Sequence, residues 1–519
     1  MAVSDTKYIF VTGGVTSSLG KGIISASLAK LLQAHGYRTA ILKLTPLLNV
    51  DQSTLNPYER GECFVASDGS LTDMDLGVYE RFLGEPTTID NFITIGRIFQ
   101  NVISRERRGE YCGKPVQTIP HVTDEIKRSI VALGQQQKYD IVVCEISGTV
   151  GDIESSPYIE AIRQLKWELG GKAIFVHLTL VPYLSAANEA KTKPTQHSVK
   201  SLFELGIQPD VLILRSEQEL PDDTLRKVAI YANIAPDCVV QSAYIKNIYE
   251  MPLAMQSQQL DTIVMRKLAL PLSGKADLTV WEKLIDRTRS ATAKIKLCII
   301  GNYTEQADAY KSLVESVAIA AAHNDCQADV RFVSSENINA DNVGKTLSEF
   351  DAIIIASDNL KRGAGGKKTA IRFAREGNVP ILCIGTSMQL AIDELKEAKE
   401  PSDKKEKNTA TAAATTSGTA ECTITAGSKA AEIYATDKAK ERHYQAIDIA
   451  ETEFDGIASL GFSVSAVSAE TKCAEIIELP AHCWYICTAF RPEFNNSVEA
   501  PHPIFNSLID KTINRQKNN

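Results

Sequence analysis

Short apolar runs rich in β-branched residues recur through the first half of the chain: "YIFVT" (8–12), "TAILKL" (39–44), "DIVVCEI" (140–146), "IFVHLTLV" (174–181) and "VLILRS" (211–216). They lack polar alternation, which predicts strands buried on both faces, as in a parallel sheet. Between them the period changes. Ile24, Leu28, Leu31 and Leu32 fall at i, i+4, i+7 and i+8, one face of a helix. Strands alternating with helices predict an α/β unit with a mainly parallel sheet, placed at 1–270.

A second series follows: "IKLCIIG" (295–301), "DVRFVSS" (329–335), "DAIIIAS" (351–357) and "VPILCIG" (379–385), again separated by helical patterns. It predicts a second α/β domain over 295–519. The polar, helix-like stretch "KADLTVWEKLIDRTRSATAK" (275–294) lies in the linker expected at 271–294. Residues 399–430, "KEPSDKKEKNTATAAATTSGTAECTITAGSKA", are rich in Lys, Ala, Thr and small residues that bury little apolar surface, so they read as a flexible insertion.

With 519 residues and 44% hydrophobic content, the chain is too long for one core. A formal net charge of -8 gives no broad basic field, which argues against nucleic acid as main partner. No apolar run approaches the roughly 20 residues of a membrane helix. The N-terminus "MAVSDTKYIFVTGG" lacks the regions of a signal peptide, so a cytoplasmic protein with eleven reduced cysteines is expected. Cys483 and Cys487 have no neighbouring ligand pair and do not read as a zinc site.

"VTGGVTSSLGKGIISASLAK" (11–30) links the first predicted strand to the first helix. A glycine-rich turn lets backbone N–H groups approach phosphates, the helix N-terminus adds a favourable dipole, and Lys21 would neutralise a phosphate. The stretch fits neither GxxxxGK[ST], since five residues separate Gly14 from Gly20 and Gly22 follows the lysine, nor GxGxxG. A plain strand–turn–helix connection is the alternative; nucleotide binding is the better reading. Asp75 and Glu145 are candidate magnesium donors, because magnesium takes one or two carboxylates with water and phosphate. By composition alone each would be a solvated surface charge.

In order along the chain, "YIFVTGGVTSSLGKGI", "DLGVYERF", "ERRGEYCGKPVQTIPHVTDEIK", "EISGTVGDIES", "HLTLVPYL" and "KTKPTQHSVKSL" resemble the CTP synthase family, densely over 7–270 and in eroded form to "FRPEF". The resemblance implies an N-terminal P-loop-like synthetase (amidoligase) domain, a C-terminal class I glutaminase-like domain and a homotetramer. It also implies a reaction: ATP, as co-substrate with Mg2+, phosphorylates the 4-oxygen of UTP, and ammonia displaces the phosphate to give CTP. Position by position, Ser18, Leu19, Gly20, Lys21, Gly22 and Ile23 match the family's ATP loop, and Lys43 a lysine facing the phosphates. Asp75 and Glu145 match the magnesium ligands, Asp75 also lying in the ATP site. Ser17, Asp152, Ile153, Glu154, Lys191, Thr192, Lys193, Pro194, Thr195, Gln196 and Lys227 match positions that contact UTP or CTP.

Departures are concentrated in two places. In the synthetase half, Thr45 replaces an aspartate, Leu47 a tyrosine, Arg60 a histidine on the family's ammonia route and Val78 a histidine. In the glutaminase half, "CIGTSMQ" puts Gly385 where the family has its cysteine nucleophile, and "RPE" puts Arg491 where it has the histidine base, although Glu493 survives. The oxyanion segment reads "ASDNL" (356–360), with Asp358 among the replaced positions. Cys383, two residues before the turn, should lie inside the sheet. His443, His482 and His502 are expected in packing or surface roles. The resemblance with these losses implies a synthetase that uses ammonia and not glutamine. The alternative is a nucleotide-binding pseudoenzyme that regulates or co-assembles with an active CTP synthase.

Overall fold

The strand Lys7–Gly13 is buried along almost its whole length because it lies at the centre of a parallel sheet with a strand on each side. The structure is a computed structural model and describes residues 5–186, 188–272, 274–357, 359–399 and 417–518. Among these, the first sheet has seven strands in the order Val239–Ala243, Val211–Ser216, Ala173–Leu180, Lys7–Gly13, Ile141–Ile146, Thr39–Thr45 and Phe92–Thr94. Every pairing is parallel. The five apolar runs of the first half all fall in it, and the continuous apolar pattern is explained by helices on both faces.

The second sheet has nine strands among the described residues, built differently along its width. Cys326–Ser334, Ala293–Gly301, Ala352–Ile355, Ile381–Ile384 and Tyr485–Thr488 pair in parallel. Ala474–Glu478, Ser463–Ser468, Gly418–Ile424 and Lys438–His443 then extend it in antiparallel fashion.

Of the segment expected as a flexible insertion at 399–430, residues 400–416 lie outside the described residues. Its C-terminal part is ordered: Gly418–Ile424 is a strand and Lys429–Tyr434 a helix. Composition hid a period of two, since Cys422 and Ile424 point into the core while Glu421 and Thr423 point outward.

The chain divides into two compact units, 1–52 with 78–282, and 53–77 with 283–519. The sequence pattern gave no hint that 53–77 packs with the second half. The reason is polar. Glu62 accepts a hydrogen bond from the Ser312 backbone N–H (2.9 Å) and another from its hydroxyl, at the start of helix Lys311–His323. Arg442 donates to the Val65 carbonyl (2.9 Å). The polar connector is likewise a helix, Thr279–Ser290, with Trp281 buried against Phe82 and Tyr249 in the first unit.

Candidate functional site

The first sheet aims its carboxyl ends at one edge, where ligands of open α/β sheets bind. Val15 and Ser18, in the loop after Lys7–Gly13, adopt left-handed backbone, φ 81° and 57°, and Gly20 follows at 91°. A β-branched residue is rarely held there, so the loop stores strain of the kind found at ligand clamps. Residues 15–18, Ser17 included, are exposed, Leu19 is buried, and Gly22 and Ile23 are half-buried in the first turn of helix Lys21–Ala34.

Lys21 is not a surface cation. Its chain folds back over Gly13, where a Cβ would meet Lys21 Cδ at 2.9 Å, and its Nζ donates to the Gly148 carbonyl at 3.0 Å. Two carboxyl-end loops thereby converge on one ammonium group. Lys43 and Glu145 are register partners on adjacent strands, both buried. Glu145 accepts a hydrogen bond from the Tyr79 hydroxyl, so it is not the solvated charge that composition alone suggested. A buried carboxylate with Lys43 as its register partner has the chemistry to share a hard cation with phosphates. Among the described residues no group of three His, Cys, Asp or Glu side chains is placed to hold a metal ion.

The other sequence candidates are placed as follows. Asp152, Ile153 and Glu154 are exposed in the loop after Ile141–Ile146. Lys191 pairs with Glu189 (2.5 Å), and Thr192 accepts from the Gln196 amide (3.3 Å). Lys193 is exposed and Pro194 half-buried in the first turn of helix Lys193–Glu204. Thr195 is buried and donates to the Leu180 carbonyl (2.9 Å). Lys227 is exposed on a different helix, Asp222–Tyr231. Asp75 opens helix Met74–Leu83 in the stretch assigned to the second unit, its N–H donating to Asp73 (3.0 Å).

Sequence reasoning missed what lies under the loop. The His177 ring bridges the Thr12 hydroxyl (Nδ1, 2.9 Å) and the Ser198 hydroxyl (Nε2, 2.8 Å). Burial, and then the charge of Lys21, push its pKa down to about 3. The signal was there in "HLTLVPYL", a polar residue inside an otherwise buried strand.

In the second unit, strand Ile381–Ile384 turns sharply at Gly385 (φ 55°) into helix Ser387–Lys399. A Cβ on Gly385 would lie 2.3 Å from Ser357 Oγ. That hydroxyl also accepts the Thr386 backbone N–H (3.2 Å), the position that serves as oxyanion donor after a nucleophile on such a turn. Arg491 Cδ approaches the same point, and its Nε donates to Glu493 (2.5 Å) with both side chains buried. Ser387 donates to the Ala356 carbonyl (2.8 Å). Cys383 is fully buried in the strand. Asp358 lies outside the described residues.

Three histidines of this unit are buried and bonded: His443 to Glu475 (2.7 Å), His482 to the Ala374 carbonyl (3.2 Å) and His502 to Glu441 (3.0 Å), while half-buried His323 meets the Val498 carbonyl (3.0 Å). Burial works against a charged His443, but the bond to Glu475 and the surrounding carboxylates outweigh it and raise its pKa.

A parallel α/β unit with a strained phosphate-type loop, joined to an α/β unit built around a strand–turn–helix elbow, defines an amidoligase with an amidotransferase-like half. The model for the CTP synthase N-terminus matches residues 7–270, and that for class I glutamine amidotransferases matches 306–511. The CTP synthase of Porphyromonas gingivalis is 45% identical over 535 residues, 99% of each chain. That of Bacteroides fragilis is 45% identical over 533 residues, 99% of this chain and 100% of its own. That of Cytophaga hutchinsonii is 46% identical over 528 residues, 98% of each. The chain belongs to the CTP synthase family. Among the described residues no helix is long and apolar enough to cross a membrane.

Proposed function

We propose that the chain is a ligase that converts UTP to CTP at the expense of ATP, within a synthetase half at 1–270 separated by 271–294 from a glutaminase-like half at 295–519. Family membership along the whole chain carries this reading. Uracil O4 attacks the γ-phosphorus of ATP and ADP leaves; ammonia then attacks C4 of the phosphorylated ring and phosphate leaves. The loop at 15–23 offers backbone N–H groups to the ATP phosphates. Lys21 and Lys43 hold charge opposite the transferring phosphoryl group, which is where such enzymes gain most of their rate. Asp75 and Glu145 would hold a magnesium ion, which when bound neutralises phosphate charge. Ser17, 152–154, 191–196 and Lys227 orient UTP.

The nitrogen donor is ammonia and not glutamine. Gly385 offers no nucleophile, Arg491 stays protonated and is engaged by Glu493, and Ser357 occupies the oxyanion donor. A second reading, a nucleotide-binding partner of an active homologue, is favoured by Thr45, Arg60 and Val78, each standing where the family carries a different functional side chain.

Purified full-length protein with UTP, ATP and magnesium, given ammonium or glutamine, tests this directly. CTP from ammonium alone is expected. CTP from glutamine overturns the account of the second half, and nucleotide binding without CTP from either donor favours the second reading.

A further inference from the structure

We propose that His177 is a positioning residue that fixes the loop after Lys7–Gly13 against helix Lys193–Glu204 through Ser198, setting the distance between the two nucleotides. The inference rests on the reading above, in which that loop takes ATP and the start of that helix takes UTP.

The geometry is a continuous polar chain inside one unit. Thr12 and His177 are register partners on adjacent strands, so the ring lies directly under the loop. Its Nε2 meets Ser198 Oγ at 2.8 Å, and Ser198 Oγ in turn lies 1.9 Å from where a Gly14 Cβ would be. Gly14 therefore has no side chain because the helix approaches its backbone there. One turn earlier, buried Thr195 ties the same helix to the Leu180 carbonyl, at 2.9 Å. The helix that begins with Lys193, Pro194 and Thr195 is thus bound to the carboxyl end of the sheet at two heights.

Why a histidine? The site needs a rigid group that spans two hydroxyls, one on a strand and one on a helix, and remains uncharged beside Lys21. A neutral imidazole has one N–H donor and one ring acceptor on opposite edges. Thr12 and Ser198 each act as donor or acceptor, so either tautomer is satisfied. A ring fixed in this way is a spacer of constant length; it touches no reacting atom. Alignment of nucleophile and phosphorus is acutely sensitive to such spacing, an error near 1 Å costing on the order of 100-fold in rate.

The test uses the full-length protein and three variants. His177→Phe keeps a flat ring and removes both bonds, Ser198→Ala removes one, and His177→Gln reaches the Nε2 position and re-forms the Ser198 bond. In ammonium-dependent CTP formation, His177→Phe should lower kcat about 10- to 100-fold with UTP and ATP affinities changed less than about 3-fold. Ser198→Ala should give part of that loss, adding little in combination with His177→Phe, and His177→Gln should recover most of it. Imidazole NMR should show a neutral ring between pH 5 and 8. Unchanged kcat in folded His177→Phe, a Gln variant as impaired as Phe, or a ring that titrates in this window overturns the proposal while leaving the CTP-forming reading intact. If the unaltered protein binds both nucleotides but forms no CTP, that reading falls by itself. The spacer is then read from the effect of ATP on UTP affinity, which His177→Phe should weaken and His177→Gln preserve; equal effects in all three overturn it.

Discussion

The strand–turn–helix junctions at 13–21 and at 384–387 have been treated in opposite ways. At the first, close approach is made around open backbone: Ser198 fills the space beside Gly14, Lys21 covers Gly13, and the exposed residues 15–18 hold positive φ at Val15 and Ser18. At the second, close approach closes the junction. Ser357 fills the space beside Gly385 and takes the Thr386 N–H, while the buried Arg491–Glu493 ion pair lies against the same turn. Both turns join a buried strand to a helix, so the scaffold alone says little about the chemistry it carries. What separates them is whether polar groups at the turn are left facing solvent or are already satisfied within the fold.

The largest expected effect breaks the second junction. Glu493→Ala leaves the Arg491 guanidinium buried without its carboxylate and should destabilise the second unit by about 3–5 kcal/mol. Urea unfolding followed by Trp484 fluorescence in a Trp167→Phe, Trp281→Phe background measures it. Next comes the first junction: Lys21→Met, nearly isosteric, should lower ammonium-dependent CTP formation about 100- to 1000-fold with little change in unfolding midpoint. Similar losses of turnover from both changes, at protein concentrations where each is folded, would erase the contrast.

A smaller effect comes from placing a thiol at the second turn. Gly385→Cys puts a Cβ against Ser357 Oγ and an L-residue at φ 55°, and should cost about 2–4 kcal/mol. No glutamine hydrolysis should accompany it, since the base and oxyanion donor remain engaged; ammonia release from glutamine is the measurement. The combination with Ser357→Gly and Arg491→His is the variant in which activity, if recoverable, should appear.

The smallest effect is a difference in pH slope between the units. Below the free histidine value near 6.5, the unfolded chain binds a proton that folded His177 refuses until about 3. The first unit should therefore lose about 2 kcal/mol between pH 7 and pH 5 from this group. His443 has the reverse sign. Its raised pKa adds stability that is complete below the free value and is lost as pH rises through the folded one. Urea titrations at pH 5, 6, 7 and 8, with Trp281 and Trp484 read separately in variants that keep one of the three tryptophans each, should show the slopes diverging. His443→Gln should flatten the second unit's slope.

By itself the sequence determined five strands of the first sheet, four parallel strands of the second, the loop at 13–21, and the glycine and arginine that stand at 385 and 491. Each is local: continuous apolar runs, glycines beside a lysine, and residue types whose chemistry is fixed before folding. The strand Gly418–Ile424 was legible only in part, because alternation over a few residues was masked by the composition of its neighbours. Tertiary structure decided the rest. The association of 53–77 with the second unit depends on Glu62 meeting a helix start 250 positions away. The polar chain of Thr12, His177 and Ser198 spans 165 and 21 positions. Ser357 closes the Gly385 turn from 29 positions off. No period or motif encodes such meetings, because they arise only when separate elements are brought into register and their polar groups must find partners away from water.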